Sequence, residues 1–330
     1  MKKFKFIFVL LAMLLVLVSC STNAESSSKK SIVVAFLPNE VSGGDLKENF
    51  KTLLEEIQVA LGDKYDVDYV VADDYAAVST AIRTGTAQLA WESGNTYATS
   101  HILDSRVVPI VSYGIDGKKE NANYPAYIAV HKDNAKDFAG ITDEKAKLEL
   151  LKDKSFAFVS ATSTSGSLFP STTFYRYFGP DGTKAFETRA QLQTSGVFFS
   201  EVQFGGKHQN VVQLLNQKKV YAGAFCCNYG AETNPETGKE SSENIEIIST
   251  QYVPNGPLWT STKSLTDEEI KLIQDHLVGL TESNTNSKIF HPTDGLFSAE
   301  SADQANANKN RFFAVDKTFY DLYYEMNKVK

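Results

Sequence analysis

The chain has 330 residues, 42% of them hydrophobic, with 33 basic against 40 acidic side chains and a formal net charge of −7. That balance excludes a nucleic-acid binder, which needs a basic surface to neutralise phosphates, and the length suits two domains of roughly 150 residues each. Only three cysteines are present, so no disulfide framework supports the fold.

Lys2, Lys3 and Lys5 precede an unbroken apolar run from Phe6 to Val18. The run is shorter than the roughly 20 residues that span a bilayer and reads as a signal peptide over residues 1–20. It ends in Leu17-Val18-Ser19-Cys20, which resembles the lipobox of bacterial lipoproteins, so Cys20 is expected to carry a lipid and become the first mature residue. Residues 21–30 are polar and serine-rich, the composition of a flexible tether. Without the signal peptide's three lysines the mature chain lies near −10, and no later apolar stretch is long enough to span a membrane.

From Ser31 the pattern alternates. A β-branched run, Ser31 to Leu37, precedes helical spacing over Leu46 to Leu61; Tyr65 to Val71 reads as a strand, Ala76 to Thr84 as a helix, and Ala87 to Trp91 as a strand feeding a polar loop. Val107 to Val111 is a further strand, and the Gly-, Asn- and Asp-rich passage Gly114 to Asn123 reads as a crossing to a second domain that opens with strand Ala126 to His131. The second series runs strand Ser155 to Val159, helix Gly166 to Phe178, strand Val197 to Val202, helix Gln209 to Gln217, strand Tyr221 to Phe225 and strand Ile245 to Ser249. Gln251 to Pro257 can be the return crossing; Thr266 to Leu280 is an amphipathic helix with a capping box at Thr266 and Glu269, and Arg311 to Lys328 reads as an aromatic-rich helix that packs. Strands interleaved with helices predict parallel pairing in two α/β lobes joined by two hinge crossings. The expected division is 31–120 with 253–330 for lobe 1 and 121–252 for lobe 2, and the ligand belongs outside the strand carboxyl ends.

Two loops carry candidate chemistry. Ala161 to Pro170 follows a strand and opens a helix, and Ser163, Thr164 and Ser165 put three hydroxyls, free backbone N–H groups and the positive end of a helix dipole at one point. That suits an oxyanion, and it equally suits a plain Ser/Thr cap. Gly205-Gly206-Lys207-His208 allows close backbone approach and offers an imidazole donor, or a simple capping residue. The adjacent Cys226 and Cys227 can bridge only through a strained ring and read as small apolar strand residues.

Together, Ser163-Thr164-Ser165-Gly166 with Pro170, Gly205-Gly206 with His208, and Val220-Tyr221-Ala222-Gly223-Ala224 resemble the phosphate/phosphite/phosphonate-binding (PhnD-like) proteins of ABC importers. Ala90-Trp91 before a polar loop and Pro254 with Pro257 extend the resemblance over most of the mature chain. It implies the type II periplasmic-binding-protein clamshell. It also implies an oxyanion held by Ser163, Thr164, Ser165 and His208, with the loop after Trp91 (Glu92, Asn95, Tyr97) closing from lobe 1 and Tyr113, Tyr124 and Tyr127 as further cleft candidates. The implied setting is a monomer, lipid-anchored on the extracytoplasmic face of the cell membrane, serving a permease and an ATPase, with no cofactor and no metal. Glu92 departs from the family pattern, where an aromatic or small apolar residue is usual. A carboxylate there either points to solvent or repels a dianion, and with the Trp91 ring it suits a cationic ligand such as a thiamine-pyrimidine precursor. An enzyme on the same scaffold would need a nucleophile with an assigned base; H-E-x-x-H, C-x-x-C and G-x-S-x-G are all missing, so no catalysis is expected.

Overall fold

The computed structural model describes residues 29–37, 41–42, 45–91, 93–226, 244–281, 283, 287–291, 295–297 and 309–329. Cys20, Glu92 and Cys227 therefore lie outside the described residues. Strand β1 (Lys30–Phe36) buries Ile32, Val34, Ala35 and Phe36 completely, as a β-branched run does when it is central to a sheet. A two-residue ladder, β2 (Val41–Ser42) with β3 (Asp45–Leu46), leads into α1 (Glu48–Leu61), whose Phe50, Leu53, Ile57 and Leu61 make one buried face at helical spacing. Then come β4 (Tyr65–Val71), α2 (Tyr75–Thr84), β5 (Leu89–Trp91), α3 (Gly94–Leu103) and β6 (Val107–Ile115).

The chain next enters a second sheet. Strand β7 (Asn123–His131) and the short α4 (Glu144–Glu149) are followed by β8 (Ser155–Phe158), α5 (Phe169–Phe178), β9 (Glu201–Phe204), α6 (His208–Asn216), β10 (Ala222–Cys226) and β11 (Ile245–Pro254). It returns through β12 (Leu258–Ser261) and α7 (Asp267–Gly279) and ends with β13 (Asn310–Ala314) and α8 (Asp321–Lys328).

The sheets are ordered β13-β6-β12-β5-β1-β4 and β11-β7-β10-β8-β9. Parallel pairing holds where helices connect neighbours: β1 with β4 and β5, and β8 with β9 and β10. It fails for β6, β7, β11, β12 and β13, which pair antiparallel. β6, β7, β11 and β12 are the strands that enter and leave the crossings, and β13 comes back after α7 to close the edge beside β6. Around the second sheet a phenylalanine cluster fills the core, with Phe156 stacked on Phe199 at 4.4 Å and Phe174, Phe178 and Phe198 at its edges.

Two expected elements change identity. The polar loop after Trp91 is α3 from Gly94, capped by the Ser93 side chain, which accepts from Thr96 N–H. The start of the expected C-terminal helix is instead β13, paired with β6 from Asn310 opposite Ile115 to Ala314 opposite Val111. Elsewhere the return strand β11 extends to Pro254, which leaves only three residues for the crossing.

The capping box at α7 also fastens β1. Glu269 accepts from Thr266 N–H (2.8 Å), from Lys30 Nζ (2.6 Å) and from Tyr65 OH (2.8 Å). Burial acts to raise this carboxyl, but those three donors outweigh it and hold it at about 2 against an ordinary 4.5. A carboxyl depressed in the folded state stabilises the fold above its unfolded pKa, and that contribution is lost as pH falls from about 4.5 toward about 2. Glu269→Gln is expected to cost roughly 1–2 kcal/mol at pH 7, with half-exposed Lys30 keeping the figure modest. Melting curves followed by circular dichroism should show the variant a few degrees below wild type at pH 7, with the gap closing through that acid range. An unchanged gap at pH 2.5 would contradict the assignment.

Candidate functional site

The candidate residues sit where parallel strands end. β8 gives way to Ser163, Thr164 and Ser165, β9 to His208, β10 ends in Cys226, β4 leads to Tyr75 and β5 to Asn95. Both sheets therefore aim strand carboxyl ends at one region.

The serine loop is built by close packing. Ser163 has extended φ/ψ (−63°, 135°), its Oγ accepts from Gly166 N–H at 3.2 Å, and its carbonyl accepts from Leu168 N–H at 2.9 Å, closing a π-type turn over Thr164–Leu168 that runs into α5. Val159 N–H donates to Gly166 O at 3.0 Å, tying the turn to the end of β8. Gly166 cannot be another residue at low cost, since a Cβ there would lie 2.3 Å from Val159 Cγ2. Ser163, Thr164 and Ser165 are almost wholly buried, and as first residues of the turn Thr164 and Ser165 have no intrahelical acceptor for their N–H groups. Ser165 also borders a crevice with Tyr127, Pro170, Ser249 and Gln251.

His208 opens α6, 5% exposed, with the Gly205 and Gly206 amides bonded to Phe158 O and Val159 O. Its Nδ1 accepts from Cys226 N–H at 3.1 Å. A backbone N–H needs a lone pair, so Nε2 carries the ring hydrogen in this arrangement. Nε2 faces Tyr75 OH at 3.4 Å and Cys226 Sγ at 3.7 Å.

The two lobes touch at this point. From α3, Asn95 N–H donates to Thr164 Oγ1 (2.9 Å), Asn95 Nδ2 to Thr162 O (2.8 Å) and Thr96 Oγ1 to Thr162 O (3.4 Å). With Tyr75 reaching His208, these bonds describe a closed clamshell.

Asn95 thus meets the serine loop, and His208 meets Tyr75 of lobe 1 and Cys226. Trp91 is placed otherwise: it stacks on Tyr113 at 5.4 Å and meets Phe312 edge-on, inside the core of lobe 1. Tyr97 is fully buried between Trp259 and Tyr320, where its hydroxyl accepts from Tyr324 at 3.0 Å; burial first, and that hydrogen bond second, push its phenol far above the ordinary value. It packs α3 onto the C-terminal segment rather than lining the cleft. Tyr127 packs against Phe225. Sequence reasoning missed Tyr75, Thr162 and the seat of Cys226 beneath His208. Tyr75 had a signal, because Asp74 caps α2 by accepting from Ala77 N–H and so puts Tyr75 at the first helical position after β4.

A family model for the periplasmic substrate-binding protein of phosphonate ABC transporters matches residues 34–306. The chain belongs to that family. It is 29% identical over 155 residues to the phosphate-import protein PhnD of Mycolicibacterium smegmatis, a match covering 46% of this chain and 43% of that relative, so less than half of the relative's length is spanned. Two solved structures carry the phosphonate-binding family's fold. PhnD1 from Prochlorococcus marinus, in complex with methylphosphonate, superposes with a TM-score of 0.66 at 20% identity, covering 91% of this chain and 97% of that one. A binding-protein component of an ABC phosphonate transporter from Pseudomonas aeruginosa gives 0.66 at 17% identity, covering 91% and 86%. At these identities the likeness establishes the type II clamshell and nothing finer. No helix among the described residues is long and apolar enough to cross a membrane.

Proposed function

We propose that this chain captures a small phosphonate-, phosphite- or phosphate-type oxyanion between its lobes and delivers it, unaltered, to the permease of an ABC importer whose ATPase drives uptake. The observation that carries this reading is the serine loop itself. Ser163, Thr164 and Ser165 are buried at the start of a helix and are closed over from lobe 1 by Asn95, with His208 presenting an Nε2 hydrogen nearby. Neutral hydroxyl and imidazole donors with a helix N-terminus suit an anion that must be released again. The lobes would comprise 31–120 with 253–330 and 121–252, and a lipid on Cys20 would hold the protein on the extracytoplasmic face of the membrane.

The orientation of His208 supports delivery without chemistry. Cys226 Sγ lies 3.7 Å from Nε2, which carries the ring hydrogen, so the imidazole presents no lone pair to the thiol. Isothermal titration against methylphosphonate, phosphite and phosphate tests the reading. Binding of at least one is expected, weakened about 10- to 100-fold by Ser163→Ala or His208→Ala, each of which removes a hydrogen bond to a charged group. Absence of binding to all three would sink it.

A further inference from the structure

We infer that the C-terminal helix α8 is a working part of the closure mechanism, with Asn327 the residue that positions Asn95 for its bond across the cleft; the inference rests on the binding reading only in its ligand arm. Asn327 Nδ2 donates to Tyr323 O at 2.8 Å and to Asn95 Oδ1 at 2.7 Å, and Asn95 Nδ2 donates to Thr162 O at 2.8 Å. A main-chain carbonyl stands at each end of this chain, one in α8 and one in lobe 2. Because a carbonyl only accepts, both amide orientations are forced: Asn327 must present nitrogen to Tyr323 O, Asn95 must then present oxygen to Asn327, and its nitrogen is left facing Thr162.

The same helix is fastened to every moving part. Tyr323 OH donates to Pro254 O at 2.5 Å, at the end of β11, and the preceding Tyr320 OH to Asn255 O at 3.2 Å, at the start of the return crossing, where Asn255 N–H also donates to Ala122 O of the outward one. The Tyr323 ring meets Phe169 of lobe 2 edge-on at 5.8 Å. On the other side α8 lies directly on the start of α3, where a Cβ on Gly94 would fall 2.2 Å from Tyr323 Cε2. The helix therefore spans hinge, lobe 1 and lobe 2. Asn327 is a positioning residue: it reaches the serine loop only through Asn95.

Asn327→Asp tests this with almost no change of shape. Aspartate has nothing to donate, so the Asn95 amide turns its nitrogen to the carboxylate and its oxygen to the Thr162 carbonyl, and the closed form loses a bond that the open form never had. Small-angle scattering of the full mature chain is expected to give a larger radius of gyration for N327D than for wild type, without ligand and with methylphosphonate. Calorimetry with methylphosphonate is expected to show affinity reduced about 3- to 10-fold in N327A and about tenfold or more in N327D. The double variant N95A/N327A should be no weaker than N95A, since Asn327 acts through Asn95. Identical scattering curves for wild type and N327D overturn the inference, as does full additivity in the double variant. If the scattering differs while wild type binds none of the oxyanions, the closure role stands and the ligand reading fails.

Discussion

Gly166→Ala is expected to abolish ligand capture and to lower stability by about 1–3 kcal/mol, the usual cost of forcing a methyl into a filled core. The added Cβ would lie 2.3 Å from Val159 Cγ2 and 2.5 Å from Val159 Cβ. A β-branched stump has no flexible end to swing away, so the turn itself must move. That turn is held by Gly166 at both of its polar groups, through Ser163 Oγ and Val159 N–H, and a shift there displaces all three hydroxyls together. Thermal unfolding should show the stability loss and calorimetry no measurable heat with methylphosphonate. A G166A protein with wild-type melting and affinity would show that the close packing does not set the loop.

Thr164→Val is expected to weaken binding by roughly 5- to 150-fold while costing the ligand-free protein little stability, because without ligand the lobes can open and relieve the penalty. Valine matches threonine in shape but cannot accept the Asn95 N–H, which in the closed form meets Thr164 Oγ1 at 2.9 Å in a fully buried position. When the lobes part, water takes that N–H in either protein. The cost of an unpaired buried donor, about 1–3 kcal/mol, therefore falls on the closed state alone. Melting scans with and without methylphosphonate separate the two effects: the ligand-free curves should nearly coincide and the ligand-induced rise should shrink. A reduced ligand-free melting temperature with unchanged affinity would place Thr164 in the core rather than the cleft.

Units such as β1 with α1 were legible because the strand is a β-branched run and the helix shows one apolar face, whereas β9 was expected at Val197 to Val202 and lies at Glu201–Phe204, a short run with little apolar pattern. Helix α3 was not legible, because Gly94, Asn95, Thr96, Tyr97, Ala98 and Ser100 are all buried. A helix enclosed on most sides has no amphipathic period, and glycine, asparagine and threonine are weak helix formers. Strand β13 was misread because Arg311-Phe312-Phe313 suits either state until pairing with β6 decides it. At the site, the hydroxyl loop and His208 were readable as local motifs. The contacts that bring the lobes together were not: Tyr75 and His208 stand 133 positions apart, and Asn95 and Thr164 stand 69 apart. No local pattern encodes such a pair. Trp91 and Tyr97 misled for a related reason, since a large aromatic after a strand fills a core as readily as a cleft.

The order of strands in the first sheet also bears on how the molecule is made. Strands β7 to β11 form one uninterrupted stretch of chain, so the second sheet can assemble as soon as that stretch has emerged on the far side of the membrane. The first sheet cannot, because β12 lies between β5 and β6 and β13 closes the edge beside β6. Its earliest strand has its ladder partners β4 and β5 early, but Lys30 waits for Glu269, 239 positions later. During export the half carrying the serine loop is thus ready first, and the half that closes over it is completed only with the final residues.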